Sequence, residues 1–133
     1  DGTVRSAAEG ALLRQPGQLS SVADLSARLA DARPFVKGSA ARELGYIGKA
    51  AAPFAPDIAN LLTDGNPYVR FSAAEALGDM GEAGVPFAAA VAKLLRDANS
   101  KVRATAAQAL GQMGEAAAPF AADVERLTDD SLK

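Results

Sequence analysis

Pro86-Phe87-Ala88-Ala89-Ala90-Val91-Ala92-Lys93-Leu94-Leu95-Arg96-Asp97, followed after a short gap by Val102-Arg103-Ala104-Thr105-Ala106-Ala107-Gln108-Ala109-Leu110-Gly111, is one period of a pattern that runs through most of the chain. Moving 33 residues toward the N-terminus gives Pro53-Phe54, Asp64, Val69-Arg70, Ala73-Ala74 and Leu77-Gly78 in the same order. One step further gives Val36-Lys37, Ala40-Ala41 and Leu44-Gly45, while Gly48, Gly81 and Gly114 close the successive copies. A fixed period of this size signals stacked supersecondary units, none of which can bury its apolar face alone.

Each period reads as two helices. Val69, Ala73, Leu77 and Met80 recur at steps of four, four and three, so the spacing predicts an amphipathic helix from Pro67 to Met80 with one apolar stripe. Phe87, Val91, Leu94 and Leu95 place a second helix over Pro86 to Arg96, with Ala88 and Ala92 small enough to admit a close neighbour. The punctuation agrees. Asn66 and Asn99 precede the long helices, where a side-chain oxygen accepts an otherwise orphaned backbone N–H, and Pro67 sits where a missing N–H matters least. Arg33 stands where an Asn cap is expected, so the helix after it should begin less firmly. Gly48, Gly81 and Gly114 follow the last apolar residue of each copy, the place that favours a left-handed glycine.

These units make an all-α superhelix, a solenoid of stacked antiparallel hairpins with about eight helices. The single array over 1-133 divides into a degenerate half-repeat at 1-17, full hairpins at 20-48, 53-81 and 86-114, and a terminal half-repeat at 119-130. In the first of these, Val4, Ala8 and Leu12 stand in for Val36, Ala40 and Leu44 at an offset of 32, and the Ser20-Ser21 pair caps the next helix. The last half-repeat shows Phe120, Val124 and Leu127 without a following helix to cover them, so uncapped terminal helices suggest end-to-end self-association or a parent with more repeats. The start at Asp1, midway through a repeat, points the same way.

Composition narrows the chemistry. About a quarter of the residues are alanine and only seven are aromatic, five Phe and two Tyr, which suits thin layers of closely spaced helices. Fourteen basic against sixteen acidic residues leave a net charge of −2, not the basic excess of a nucleic-acid binder. With neither Cys nor His, the chain has no disulfide framework, no thiolate ligand, and not the commonest general base, so no metal, cofactor or catalytic residue is expected. No run approaches the about 20 apolar residues of a membrane span, and nothing at the N-terminus reads as a signal peptide. The expectation is a cytoplasmic protein off the membrane.

The phrase from Pro86 to Asp97 followed by Val102 to Gly111 resembles the HEAT repeat, and in particular the bacterial type called PBS-lyase HEAT-like. The likeness covers residues 20 to 130 well and 3 to 14 weakly. Its most specific mark is an Asp with an Arg six residues on: Asp64 with Arg70, Asp97 with Arg103, and Asp31 with Lys37, where lysine departs from the pattern. The resemblance implies that the Pro-initiated helix is outer, that the Val-Arg helix lines the concave side, and that the Asp and Arg form a structural ladder along the turns. Lysine cannot reproduce a planar two-pronged fork, so the rung at Lys37 should be weakest.

If the stripe of each inner helix faces the stack, positions 71, 75 and 79 and their counterparts face outward, and these differ between copies. One row reads Ser6, Gly38, Phe71, Ala104; the next Gly10, Arg42, Glu75, Gln108; the third Arg14, Tyr46, Asp79, Gln112. The candidate partner-binding residues of the concave face are therefore Arg14, Arg42, Tyr46, Phe71, Glu75, Asp79, Gln108 and Gln112. Tyr46 and Phe71 stand out, because an aromatic on an otherwise small or polar surface is a common interface anchor. The competing reading has Phe71 folded over the neighbouring repeat and Tyr46 packed on the next turn. Glu75 and Asp79 beside Arg42 have the elements of an acid-base pair, but an open helical face does not desolvate a carboxylate. The leading expectation is a non-enzymatic scaffold holding a protein partner in the concave face. Two others rest on family analogy: a phycobilin lyase-like accessory protein handling a tetrapyrrole, and a binder of nucleic-acid backbone, against which the charge balance argues.

Overall fold

The computed structural model describes residues 21–120, and within them every regular element is helical. Three long helices, α2 (Pro34–Ile47), α4 (Pro67–Asp79) and α6 (Ser100–Gln112), alternate with three short ones, α1 (Val22–Arg28), α3 (Ala55–Asn60) and α5 (Ala88–Lys93). The long helices lie side by side, α4 between α2 and α6, and the short helices form a second layer against them. This is the all-α solenoid of stacked hairpins. The half-repeat over 1-17, with Arg14, lies outside the described residues, as does nearly all of the terminal half-repeat and with it the basis for end-to-end association.

Local chemistry sets the helix ends. Asn66 Oδ1 accepts from the Tyr68 N–H at 2.8 Å, and Asn99 Oδ1 accepts from Lys101 and Val102 at 2.9 and 3.1 Å. The Ser21 hydroxyl caps α1 through the Asp24 N–H. Arg33 makes no side-chain cap for α2. Gly48, Gly81 and Gly114 carry φ of 70°, 62° and 64°, a left-handed conformation that L side chains avoid.

The outer helices depart from expectation. In place of one helix from Pro86 to Arg96, α5 covers only Ala88–Lys93, with 3₁₀ segments at Val85–Phe87 and Leu94–Arg96. The Phe87 N–H donates to Gly84 O at 2.9 Å and the Asp97 N–H to Leu94 O at 3.1 Å. Such i→i+3 bonds satisfy groups that a two-turn helix leaves orphaned at its ends. Proline therefore opens a 3₁₀ turn, and the α-helix starts later.

The expected stripe of α4 is buried: Val69, Ala73 and Leu77 are fully covered and Met80 nearly so. So too are Ser72, Ala74, Ala76 and Gly78, because α2 and α6 cover both flanks of the helix. Small residues let the long helices approach. A methyl group on Gly45 would lie 2.7 Å from Ala76 Cα, and one on Gly78 would lie 2.8 Å from Ala109 Cα. The Leu44-Gly45 and Leu77-Gly78 pairs are thus half core residue, half contact point.

Ser72 is fully buried, and among the described residues its Oγ has no hydrogen-bond partner. An unsatisfied buried hydroxyl costs about 1–3 kcal/mol, and alanine is the better helix former. Ser72→Ala should therefore raise stability by about 1 kcal/mol, read as a higher urea midpoint at unchanged slope. A lower midpoint would mean that the hydroxyl is bonded after all.

Candidate partner-binding face

Along one edge of the stack, charged side chains join consecutive repeats. Lys37 Nζ donates to Asp64 Oδ1, and Arg70 makes a two-pronged pair with Asp97, Nε to Oδ1 at 2.9 Å and Nη2 to Oδ2 at 3.1 Å. Each cation thus reaches the carboxylate 27 residues later, in the next repeat, rather than the one six residues before it. The six-residue spacing serves another bond: Arg70 Nη1 donates to Asp64 O and Gly65 O, as Arg103 Nη1 does to Asp97 O and Ala98 O. Asp64 and Asp97 also accept from the N–H of Asn66 and Asn99, which fixes the capping turn. Asp31 pairs with Arg33 rather than Lys37, through Oδ1 to Nε at 3.0 Å and Oδ2 to Nη2 at 2.9 Å. The Lys37 rung has one prong where the Arg70 rung has two, a difference of charge geometry rather than of charge.

These contacts shape the acid response. The Arg70 guanidinium, the Asn99 N–H and the more distant Arg103 hold the Asp97 carboxyl below the usual carboxylate range against the effect of burial. For Asp64 burial is the largest influence and acts upward, but Lys37, the Asn66 N–H and Arg70 together outweigh it and leave the group lowered. Arg33 brings Asp31 down to about 2. A carboxyl lowered by folding stabilises the folded state above its unfolded value of about 3.9, and that contribution fades as pH falls through the folded value. The urea midpoint should drop as pH is taken from about 5 toward 2, and Arg70→Met should flatten the dependence. Equal slopes in wild type and variant would exclude the rung as a source.

On the inner helices the candidate residues meet across repeats. Arg42 Nε lies 3.2 Å from Glu75 Oε2, and Gln112 Nε2 donates to Asp79 Oδ1 at 2.8 Å. The Tyr68 hydroxyl beside it holds the Arg42 guanidinium above its usual value, with burial opposing and the Glu75 carboxylate assisting. Glu75 and Asp79 are thus each engaged with a different neighbour, Arg42 and Gln112. Because the Arg42–Glu75 pair is about one-third exposed, Glu75→Ala should change stability by less than about 0.5 kcal/mol. A loss above about 1 kcal/mol in urea titration would give the pair a structural duty.

Tyr46 is 72% exposed, and Gln108, two repeats further on in α6, is exposed as well. Phe71 is half-buried, packed against the core, edge-on to Tyr68 with ring centroids 5.2 Å apart. Two aromatics that the sequence reading passed over join it. Phe35 stacks on Tyr68 at 5.9 Å with planes 11° apart while remaining 71% exposed, and Lys101 Nζ sits 5.5 Å above the Phe71 ring. Phe35, Tyr68 and Lys101 are 33 residues apart, so the register that revealed the other rows contains this one too. Gly38 makes it possible, since a methyl group there would lie 2.4 Å from Tyr68 Cε2. The Tyr68 hydroxyl is 3.1 Å from Ser39 Oγ.

A family model for HEAT repeats matches residues 22–89, half of the chain, and a second for the single HEAT repeat matches 89–117. The chain belongs to the HEAT-repeat family. Among solved structures, this HEAT array is similar to the crystal structure of an engineered protein from the Northeast Structural Genomics Consortium, with a TM-score of 0.60 and 23% identity. The match covers 71% of the HEAT chain and 45% of the engineered one, so the chain spans less than half the length of that protein. The likeness is one of fold. No curated protein matches the chain. Among the described residues of this HEAT array, no helix is long and apolar enough to cross a membrane.

Proposed function

We propose that the chain is a non-enzymatic scaffold that holds a protein partner on the face of its long inner helices. The observation that supports this most is the pairing of Tyr46 and Phe35, both large and both more than two-thirds exposed, with a helical layer whose neighbouring side chains are already locked to one another. A preformed surface with exposed aromatic anchors loses little entropy on binding. Affinity would come from those anchors, and register from the polar rows of Arg42, Glu75 and Gln108 and of Asp79 and Gln112.

The test is a pull-down from the source cell with wild type, a Tyr46→Ala plus Phe71→Ala variant, and a Lys93→Ala plus Arg96→Ala variant on the opposite layer. The inner-face variant should lose the partner while the outer-face variant keeps it; the reverse would sink the proposal. A cytoplasmic location belongs to the same reading and is checked by cell fractionation. The finer assignment to the PBS-lyase HEAT-like type rests on the resemblance of the repeated phrase, with the recurring Asp and Arg spacing as its most specific mark. Mixed with a bilin, the protein should leave the absorption spectrum unchanged, and a saturable red shift would favour the accessory-protein reading.

A further inference from the structure

The aromatic row on the inner face has a direction. Phe35 lies at one end with most of its ring open, stacked through one side on Tyr68; Tyr68 meets Phe71 edge-on; and Lys101 closes the far end over the Phe71 ring. Among the described residues, Lys101 has no carboxylate partner, unlike Lys37 and Arg70, whose charges are spent in the rungs between repeats. Arg42, on α2 with Phe35, lies outside this row: it sits next to the Tyr68 hydroxyl and pairs with the Glu75 carboxylate. The row is therefore apolar at the Phe35 end and cationic at the Lys101 end.

Resting on the proposed scaffold function, we infer that this row docks an extended protein segment that carries an aromatic residue and, about five residues away, an acidic one. The aromatic residue stacks on the open part of Phe35, and the carboxylate meets the Lys101 ammonium. The separation follows from the stack itself. Phe35 and Lys101 are two repeats apart, and two helix-to-helix steps of about 8–10 Å make about 16–20 Å. An extended chain rises about 3.3 Å per residue, so about five or six residues span that distance. Charge complementarity selects an acidic partner over a basic one, because a basic segment would set its cation against Lys101 across a low-dielectric aromatic surface.

The protein has no tryptophan, so a tryptophan in a peptide reports its own burial by fluorescence. The probe is a synthetic peptide of about nine residues in a glycine-serine background, with tryptophan and glutamate about five residues apart. A second peptide carries lysine in place of the glutamate, and a third carries serine in place of the tryptophan. The first should bind the full chain with a blue shift of its emission, and at least about tenfold more tightly than the second or third. Lys101→Glu should reverse the preference between glutamate and lysine, and Phe35→Ser should weaken the first peptide about tenfold. Both positions are exposed, so unchanged thermal melting shows that the variants fold.

Equal binding of the glutamate and lysine peptides, or binding untouched by Lys101→Glu, overturns this inference. If Tyr46→Ala still abolishes that binding, the scaffold reading stands alone. A peptide that binds but ignores every inner-face variant overturns both. No peptide binding, together with a dimer in sedimentation that Phe35→Ser dissociates, would assign the row to a second copy of the chain and overturn the inference.

Discussion

Gly45→Val is expected to destabilise the protein by about 3 kcal/mol, whereas Gly111→Ala, at the same place in another repeat, is expected to stabilise it by about 1 kcal/mol. A side chain at Gly45 meets Ala76 Cα at 2.7 Å, Ala76 Cβ at 3.1 Å and Ala76 O at 3.2 Å, and two of these atoms belong to the backbone of α4. Backbone cannot rotate away as a side chain can, so α2 and α4 must separate and forfeit contacts along their length. Overpacking usually costs about 1–3 kcal/mol, and a branched residue between two backbones belongs at the upper end. Gly111 faces nothing within 4 Å among the described residues. There an alanine removes only the conformational freedom of glycine in a helix, worth about 0.5–1 kcal/mol. Urea midpoints of the two variants, moving in opposite directions, would verify both; a shift of the same sign would refute the close approach of α2 and α4.

Leu77→Ala is expected to cost about 4–5 kcal/mol, near the top of the range for a core leucine. Leu77 is fully buried on α4, the helix with a long neighbour on both sides. How much a truncation costs depends on how far the surroundings relax into the space. Here the flanking buried residues on the same helix are Ala73, Ala74, Ala76 and Gly78, whose side chains have no length with which to fill it. In an array stabilised by neighbour contacts, a gap in the middle unit also weakens both of its interfaces. Set against a total stability of about 5–15 kcal/mol, the loss takes from about a quarter to nearly all of it, and the urea midpoint should fall in the same proportion. A loss under about 2 kcal/mol would mean that the layer collapses around the cavity.

The caps and the left-handed glycines were legible because they act within a single turn. Asn66 and Asn99 accept from the N–H groups immediately following them, and Gly48, Gly81 and Gly114 serve a local backbone need. The outer helix was legible only in outline. Its apolar spacing from Phe87 to Leu95 is helical, but whether a stretch closes i→i+3 or i→i+4 bonds is settled by bonds such as that from Phe87 to Gly84, which periodicity does not encode. The candidate face was legible by rows, since positions 33 residues apart become neighbours. Even so, Phe35 and Tyr68 escaped notice, because they occupy the first turns of their helices, away from the three rows chosen by rotation from the apolar stripe.

By itself the sequence determined that this is a HEAT-type stack of α-hairpins, where each long helix begins and ends, and which columns of residues run across the repeats. Those conclusions depend on chemistry within a few residues and on a period that the chain states openly. Only the tertiary structure decided that Lys37 and Arg70 bond the next repeat rather than their own, that Gly45 is a contact and Gly111 is not, and that Tyr68 lies over Gly38. These outcomes depend on how closely and at what offset one helix lies against the next, a distance set by all the side chains between them at once.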